Sequence, residues 1–328
     1  VEKIDIVIPW VDGSDIRWIK KRNSKSGKEN VQLNGEERYR DFGTLKYLFR
    51  SIDMYAPWVG NIYLITDNQV PSWINLKNKR LKIIDHTDYI DEKYLPTFNS
   101  NVIELNLGNL DILSEHFVLF NDDTLLNNKV SPIDFFKNGK PVDSAILSPV
   151  FPTKNGIDNI VINNLKIINN NFKKKNVVKE YRKKFFNFSY GTWNLKNILL
   201  SPYSAFCGFY DFHLPVPYLK SMYKYVFNEN EQEFKKTYGH NFRTNEDINH
   251  WLIRYWQFCT GKFNPRSVKF GKYFSIDDLN DIEEEIVSGK SKVICINDSD
   301  RVKDFKETND ILESMLEKKF PKKSEFEL

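Results

Sequence analysis

Four short apolar runs constrain the fold most: Ile4 to Ile8, Ile62 to Thr66, Leu81 to Ile84 and Phe117 to Phe120. Rich in branched residues and too short for buried helices, they read as strands. Helical patterns lie between them. Leu45, Leu48, Phe49 and Ile52 recur at i, i+3, i+4 and i+7 and are closed by Pro57. A second helix starts at Ser100 or Asn101, with Glu104 in a capping arrangement, and runs on through Leu105 and Leu107. This alternation predicts an α/β fold, a mostly parallel sheet flanked by helices. With 41% apolar residues in 328, the chain can bury a full core, which excludes a disordered protein.

Ligands of open α/β sheets sit outside the carboxyl ends of the strands. Here the strands run into Trp10-Val11-Asp12-Gly13-Ser14-Asp15, Thr66-Asp67-Asn68-Gln69, Asp85-His86-Thr87-Asp88 and Asn121-Asp122-Asp123. Each cluster alone is also an ordinary turn sequence. Four delivered to one edge point to a site. A fifth strand, Val293 to Ile296, delivers Asn297-Asp298-Ser299-Asp300.

Residues 154–199 differ in character. Asparagine pairs and triplets precede Lys173-Lys174-Lys175 and Arg182-Lys183-Lys184, and Val178, Tyr181 and Phe185 can share one helical face opposite the lysines. That pattern is either a solvated insertion or a basic amphipathic helix resting, through 173–186, on an anionic membrane surface or on a lipid-linked substrate. The flanking segments 1–153 and 200–310 read as one catalytic domain, and 311–328 as a charged tail, a solvated or fraying helix.

Phe212-His213-Leu214-Pro215-Val216-Pro217-Tyr218 is expected to be an extended loop stiffened by its prolines. Arg243-Thr244-Asn245-Glu246-Asp247 then leads into a periodic helix with Ile248, Trp251, Leu252 and Tyr255. Thr244 with Asp247 resembles a capping box, which would set Arg243 at a helix start as an anion site. Packing of Arg243 on Trp251 at the surface is the alternative.

No apolar run reaches the roughly 18 to 20 residues of a membrane span, and the first residues are not a signal peptide. A soluble chain, trimmed of its Met, is expected. Cys207, Cys259 and Cys295 have neither disulfide nor zinc spacing and fit reduced thiols in the cytoplasm. A net charge of +4 gives no reason to expect nucleic acid as a partner.

Adjacent acids after a buried strand, Asp122 and Asp123, do not comfortably ionise together without a cation. Hard oxygen ligands suit Mg²⁺ or Mn²⁺, completed by waters and substrate phosphate. The alternative is a loop carboxylate capping the next turn. Phosphate chemistry also needs positive charge, for which Arg243 and, more weakly, Arg50 are candidates. An acceptor hydroxyl needs a base, and His213 in its Pro-stiffened loop is the best placed of five histidines. His86 and His116 lie at strand edges, while His240 and His250 have no distinguishing context. Glycine-rich phosphate loops, nucleophile elbows and zinc-protease motifs are absent.

In order along the chain, these clusters resemble the four blocks of the Stealth family of sugar-1-phosphate transferases. The first is Ile4 to Asp15. The second covers Arg50-Ser51-Ile52, Tyr55 to Val59, Ile62 to Thr66, Pro71-Ser72-Trp73, Leu95 to Asn101, Leu113 to Phe117 and Asn121-Asp122-Asp123. The third is His213-Leu214-Pro215 with Arg243 and Asp247, and the fourth Cys295-Ile296-Asn297-Asp298. Asp12 stands where the family often has Asn, and Ser299 where it often has a second acid, a role open to Asp300.

The resemblance implies a glycosyltransferase-A or Rossmann-like sheet, a UDP-sugar donor and a divalent metal. Hexose-1-phosphate would pass to a hydroxyl of a polysaccharide or lipid-linked glycan, and UMP would leave. Catalytic roles fall on His213, Arg243, Asp122 and Asp15. Trp10, Asp12, Gly13, Arg50, Asn99, Ser100, Asn101 and Asn297 would line the donor site, and Asp122, Asp123 and Asp298 would hold metal. Cytoplasmic assembly of a surface polysaccharide, at the inner face of the cell membrane, is the expected setting.

Overall fold

The computed structural model describes residues 2–27, 33–35, 39–299 and 301–328. Its main sheet has the order β3-β2-β1-β4-β8, with β1 Ile4–Pro9, β2 Ile62–Thr66, β3 Leu81–Asp85, β4 His116–Leu119 and β8 Val216–Leu219. The first four strands are parallel and in the order of one doubly wound half. All four expected strands are present. Their central members are buried on both faces, which is why they read as continuous apolar runs rather than alternating ones.

The edge strand β8 is antiparallel to β4, with Pro217 opposite Val118. The sequence led us to expect a loop here. An edge strand tolerates Pro because one side of its backbone needs no ladder partner.

A second sheet, β10-β11-β5, is built from Gly271–Ser275, Val293–Asn297 and Thr124–Leu126. Because β5 follows Asp123 directly and pairs antiparallel with β11, Cys295 lies opposite Thr124. Two acidic clusters far apart in sequence therefore meet. A small third sheet joins β6 Phe136–Lys137, β7 Lys140–Asp143 and β9 Asn264–Pro265.

The first helices, α1 Ile16–Asn23, α2 Thr44–Tyr55 and α3 Ser100–Leu105, follow the predicted order. Gly43 caps α2 with φ 68°, a conformation that suits a residue without Cβ. On α2, Leu45, Leu48, Phe49 and Ile52 are buried in the main core, as their spacing requires.

The 154–199 segment forms α4 Asp158–Asn171, α5 Lys174–Glu180, α6 Arg182–Phe185 and most of α7 Asn194–Leu200. It is not a freely solvated insertion, since Val161, Ile168, Val177 and Phe185 belong to the main core. Nor does it offer the expected amphipathic face. The helix breaks at Tyr181, and the apolar side of α5 and α6 packs inward. Lys174 and Lys184 also turn inward, donating to the carbonyls of Leu200 and Tyr203 and of Gly261 and Phe263.

Beyond it come α8 Lys220–Glu229, α9 Glu231–Tyr238, α10 Trp251–Cys259, α11 Leu279–Ser288 and α12 Phe305–Lys319. The C-terminal segment is docked rather than fraying. Leu312, Leu316, Phe320 and Phe326 are buried, and Arg50 of α2 clamps Glu327 with two hydrogen bonds of 2.9 Å while also reaching Glu317 and the Phe320 carbonyl. Among the described residues no helix is long and apolar enough to cross a membrane. The three cysteines are free thiols.

Candidate active site

At the carboxyl ends of β1 to β4 lies a cavity of about 260 Å³. Each main strand supplies part of its lining: Trp10 after β1, Asp67 after β2, His86 after β3, and Asn121, Asp122 and Asp123 after β4. The second sheet adds Asn297 and Asp298.

One side of the cavity is acidic. Asp122 and Asp123 are joined by Asp41, which precedes α2 and accepts hydrogen bonds from the Trp10 indole at 3.1 Å and the Gly43 amide at 2.6 Å. Loss of water at the cavity floor pushes the Asp122 carboxyl well above the usual range, and the charges of Asp123 and Asp41 push it further. Desolvation raises Asp123 and Asp41 too, although Thr124, Cys295 and the nearby His213 partly offset the rise at Asp123. Clustered carboxyls so disfavoured as anions fit a bound divalent cation. Among the described residues no group of three acid, His or Cys side chains forms a ready cage. Mg²⁺ takes one or two carboxylates and completes its shell with water and phosphate oxygens, so Asp122 and Asp123 are the residues that would hold it.

The opposite side is built on α3. Asn99 caps this helix and, with Asn101, donates to buried Asp247 at 2.8 and 3.0 Å. Asp247 also accepts from the Thr244 hydroxyl at 2.9 Å and sits 2.7 Å from His240 Nδ1, a contact that raises the His240 pKa. This knot fixes Arg243 against Ser100. The turn is local, because α10 begins only at Trp251. Arg243 therefore does not stand at a helix start as the capping pattern suggested. It reaches the cavity from a turn beside α3.

Glu104, on the same helix, lines the cavity with its Oε2 3.6 Å from His250 Nε2. Burial raises this carboxyl to about 7, with Arg243 pulling the other way. His250 is pushed down to about 3 by burial and by Arg254 and Arg243, so it stays neutral with Tyr218 Oη 2.6 Å from its Nδ1. The folded protein thus retains a proton on Glu104 that the unfolded chain releases near pH 4.5. Glu104's own contribution to stability should therefore fall as pH rises from about 4.5 through 7, by roughly 3 kcal/mol, against an opposing rise from His250, which is neutral when folded and protonated below about 6.5 when unfolded. Glu104→Gln should remove this falling contribution, so that stability rises more steeply with pH across the interval in denaturant titrations at successive pH values; an unchanged slope would assign the titration elsewhere.

The other expected residues divide clearly. Trp10, Ser100, Arg243, Asn297, Asp122 and Asp123 line the cavity. Asp298 does too, but both its oxygens are forked by Arg40 at 2.8 and 2.9 Å, so it serves as an arginine anchor rather than an open metal ligand. Asp300 lies outside the described residues. Asp15 is the cap of α1, accepting from the Arg17 amide at 2.8 Å, and Asp12 ties back Ser14. Gln69 joins both to the second cluster. Gly13 shapes the same loop, since a Cβ there would stand 2.0 Å from the Tyr39 carbonyl oxygen. Asn99 and Asn101 position α3 from below, and Arg50 belongs to the C-terminal clamp. None of these six lines the cavity.

His213 stands at φ 49°, about half exposed, with Nδ1 3.5 Å from Asp211 Oδ2 and its ring 4.9 Å from Tyr273. It is outside the cavity lining but within electrostatic reach of Asp123. Beneath it, Asp211 and fully buried Asp143 flank Arg254 at 2.6 to 2.8 Å, with Arg266 3.3 Å from Asp143.

Sequence reasoning missed Arg40, Asp41 and Glu104. For Glu104 a signal existed: it is a lone ionisable group among Val102, Ile103, Leu105 and Leu107. Arg40 and Asp41 lie in irregular backbone and carried none.

Residues 2–28 match the model of Stealth protein conserved region 1, and residues 38–143 that of conserved region 2. A capsular polysaccharide phosphotransferase, WcwK of Streptococcus pneumoniae, is 47% identical over all of this chain and 98% of its own length. The exopolysaccharide phosphotransferase cps2G of Lactiplantibacillus plantarum is 43% identical over 99% of this chain and 96% of its own. Among solved structures, the galactosyltransferase LgtC superposes with a TM-score of 0.43 and 10% identity over 94% of this chain and 95% of that one. At such identity to full-length relatives, the chain belongs to the Stealth family and is an enzyme of the phosphotransferase class.

Proposed function

We propose that the enzyme transfers hexose-1-phosphate, a HexNAc-1-phosphate by preference, from a UDP-sugar to a hydroxyl of a polysaccharide or lipid-linked glycan. The observation that carries this reading is the cavity itself. Paired carboxyls that disfavour their own charge face an arginine fixed by a buried hydrogen-bond knot. A diphosphate with a divalent cation satisfies both sides at once. The relatives act on capsular and exopolysaccharides, which favours a glycan acceptor in surface polysaccharide assembly.

Asp122 and Asp123 would hold Mg²⁺ or Mn²⁺, whose charge neutralises diphosphate oxygens and eases departure of the nucleotide. Arg243 stabilises charge on the phosphoryl oxygens, with Ser100 and Glu104 setting its position. Trp10, Trp18, Tyr39 and Phe98 give the donor an aromatic wall that excludes water. The acceptor oxygen bonds to the phosphorus carrying the hexose, and the bond from that phosphorus to the UMP oxygen breaks. His213 Nε2 takes the acceptor proton, while Asp211 holds the ring through Nδ1.

With Mg²⁺, a UDP-sugar and a galactose-terminated acceptor, UMP is the expected product. UDP as the sole acceptor-dependent nucleotide would mean ordinary glycosyl transfer. His213→Ala should lower turnover by about 10² to 10⁴ with donor affinity kept. His213→Asn, which tolerates the left-handed backbone, should do the same. Wild-type rates in both would remove His213 from the mechanism.

A further inference from the structure

We propose that the outward face of α7, with the basic rim beside it, is a docking surface for an anionic lipid bilayer. Buried Asn197 pins α7 to the body: its side chain bonds the Ala145 and Phe185 carbonyls and the Leu147 amide. Leu195 and Leu199 project from the opposite side of the helix, with Ile198 beside them. Leu199 is 72% exposed. Phe188, just before the helix, is wholly exposed, and Tyr203, just after it, is 63% exposed. Five large apolar side chains around one short helix form a patch of the kind that marks an interaction surface.

Charge identifies the occupant. Between Lys173 and Tyr203 the chain holds eight basic residues and one acid, Glu180. Lys174 at the start of α5 grips the end of α7, while Asn187, just after α6, links Lys183 to Asn194 at the start of α7. The α5–α6 segment therefore runs antiparallel alongside α7. Lys175, Lys179, Arg182 and Lys183 are exposed on this neighbouring segment. An apolar face edged by cations is the arrangement that inserts at the headgroup boundary of an anionic leaflet. The residue that caps the start of this helix meets the segment leading to His213. Trp193 packs on Tyr210 and Phe212, next to His213, with ring centroids 4.7 and 5.3 Å apart. A lipid surface at α7 would bring a lipid-linked glycan close to the reacting edge.

The binding test needs no substrate and so stands apart from the donor chemistry above. The full chain is sedimented with vesicles of equal phosphatidylglycerol and phosphatidylcholine, and with phosphatidylcholine alone. Binding to the anionic vesicles only, weakened by salt, is expected. The double variant Leu195→Glu, Leu199→Glu should reduce binding about 10-fold or more. Changing Lys175, Lys179, Arg182 and Lys183 to Gln should do likewise without touching the apolar face, which guards against a folding defect in the first variant. Turnover on a soluble acceptor should be unchanged in both. Absence of wild-type binding, equal binding to both vesicles, or binding that survives both variants overturns the proposal. So does a wild-type dimer that the double variant converts to monomer, which would assign the face to a second copy.

Discussion

Asp122→Ala is expected to cost about 10³-fold in turnover while making the folded enzyme more resistant to denaturant. Both effects have one cause. At the end of β4 the chain leaves the main sheet for the second, and Asp122 and Asp123 are drawn into a desolvated floor beside Asp41. Burial and the two neighbouring charges make the Asp122 anion unfavourable there. A carboxyl in such surroundings costs stability, as groups held for a function do. Chelation of divalent cations should reproduce the loss of turnover in the wild type. A variant with normal turnover, or one that is inactive and also less stable, would mean that Asp122 is structural.

The second large effect lies beneath His213. Asp143→Ala should destabilise the fold by about 3 to 5 kcal/mol, because it leaves the buried guanidiniums of Arg254 and Arg266 short of a counter-charge. Although burial opposes ionisation, these arginines hold the Asp143 carboxyl below its usual range. Asp211 is tied to the same Arg254 and to His213, so residual folded enzyme should also turn over more slowly. Chemical denaturation with Asp158→Ala, an acid on the 154–199 segment, as control separates this from a general effect of losing a carboxylate. A change under 1 kcal/mol would show that the pair is not a structural centre.

These sites were unequally legible. Strands buried on both faces announce themselves by composition, and the clusters after them follow from the strand ends, so the location of the cavity could be read directly. The role of each acid could not. Asp12 and Asp15 bond amides two residues away, whereas Asp122 and Asp123 face a cavity, yet all four are acids after the same kind of strand. What differs is the following backbone: a helix start in one case, a change of sheet in the other.

Arg50 was misjudged for another reason. Its partners Glu317 and Glu327 lie some 270 residues away, so nothing local separates a clamp from a phosphate ligand. The same limit hid the docking of α12 and the inward turn of Lys174. Glu104 was visible but assigned to capping. Its place among apolar neighbours was the better guide, since an acid there must be paired, neutral or functional.

The most direct test of the account follows one phosphorus atom. A UDP-sugar carrying ³²P in the phosphate attached to the hexose is incubated with enzyme, Mg²⁺ and acceptor, and glycan is separated from nucleotide. Hexose-1-phosphate transfer puts the label in the glycan, in a diester resistant to phosphatase, with unlabelled UMP in equal amount. Label recovered in UDP, with an unlabelled glycan product, would contradict it.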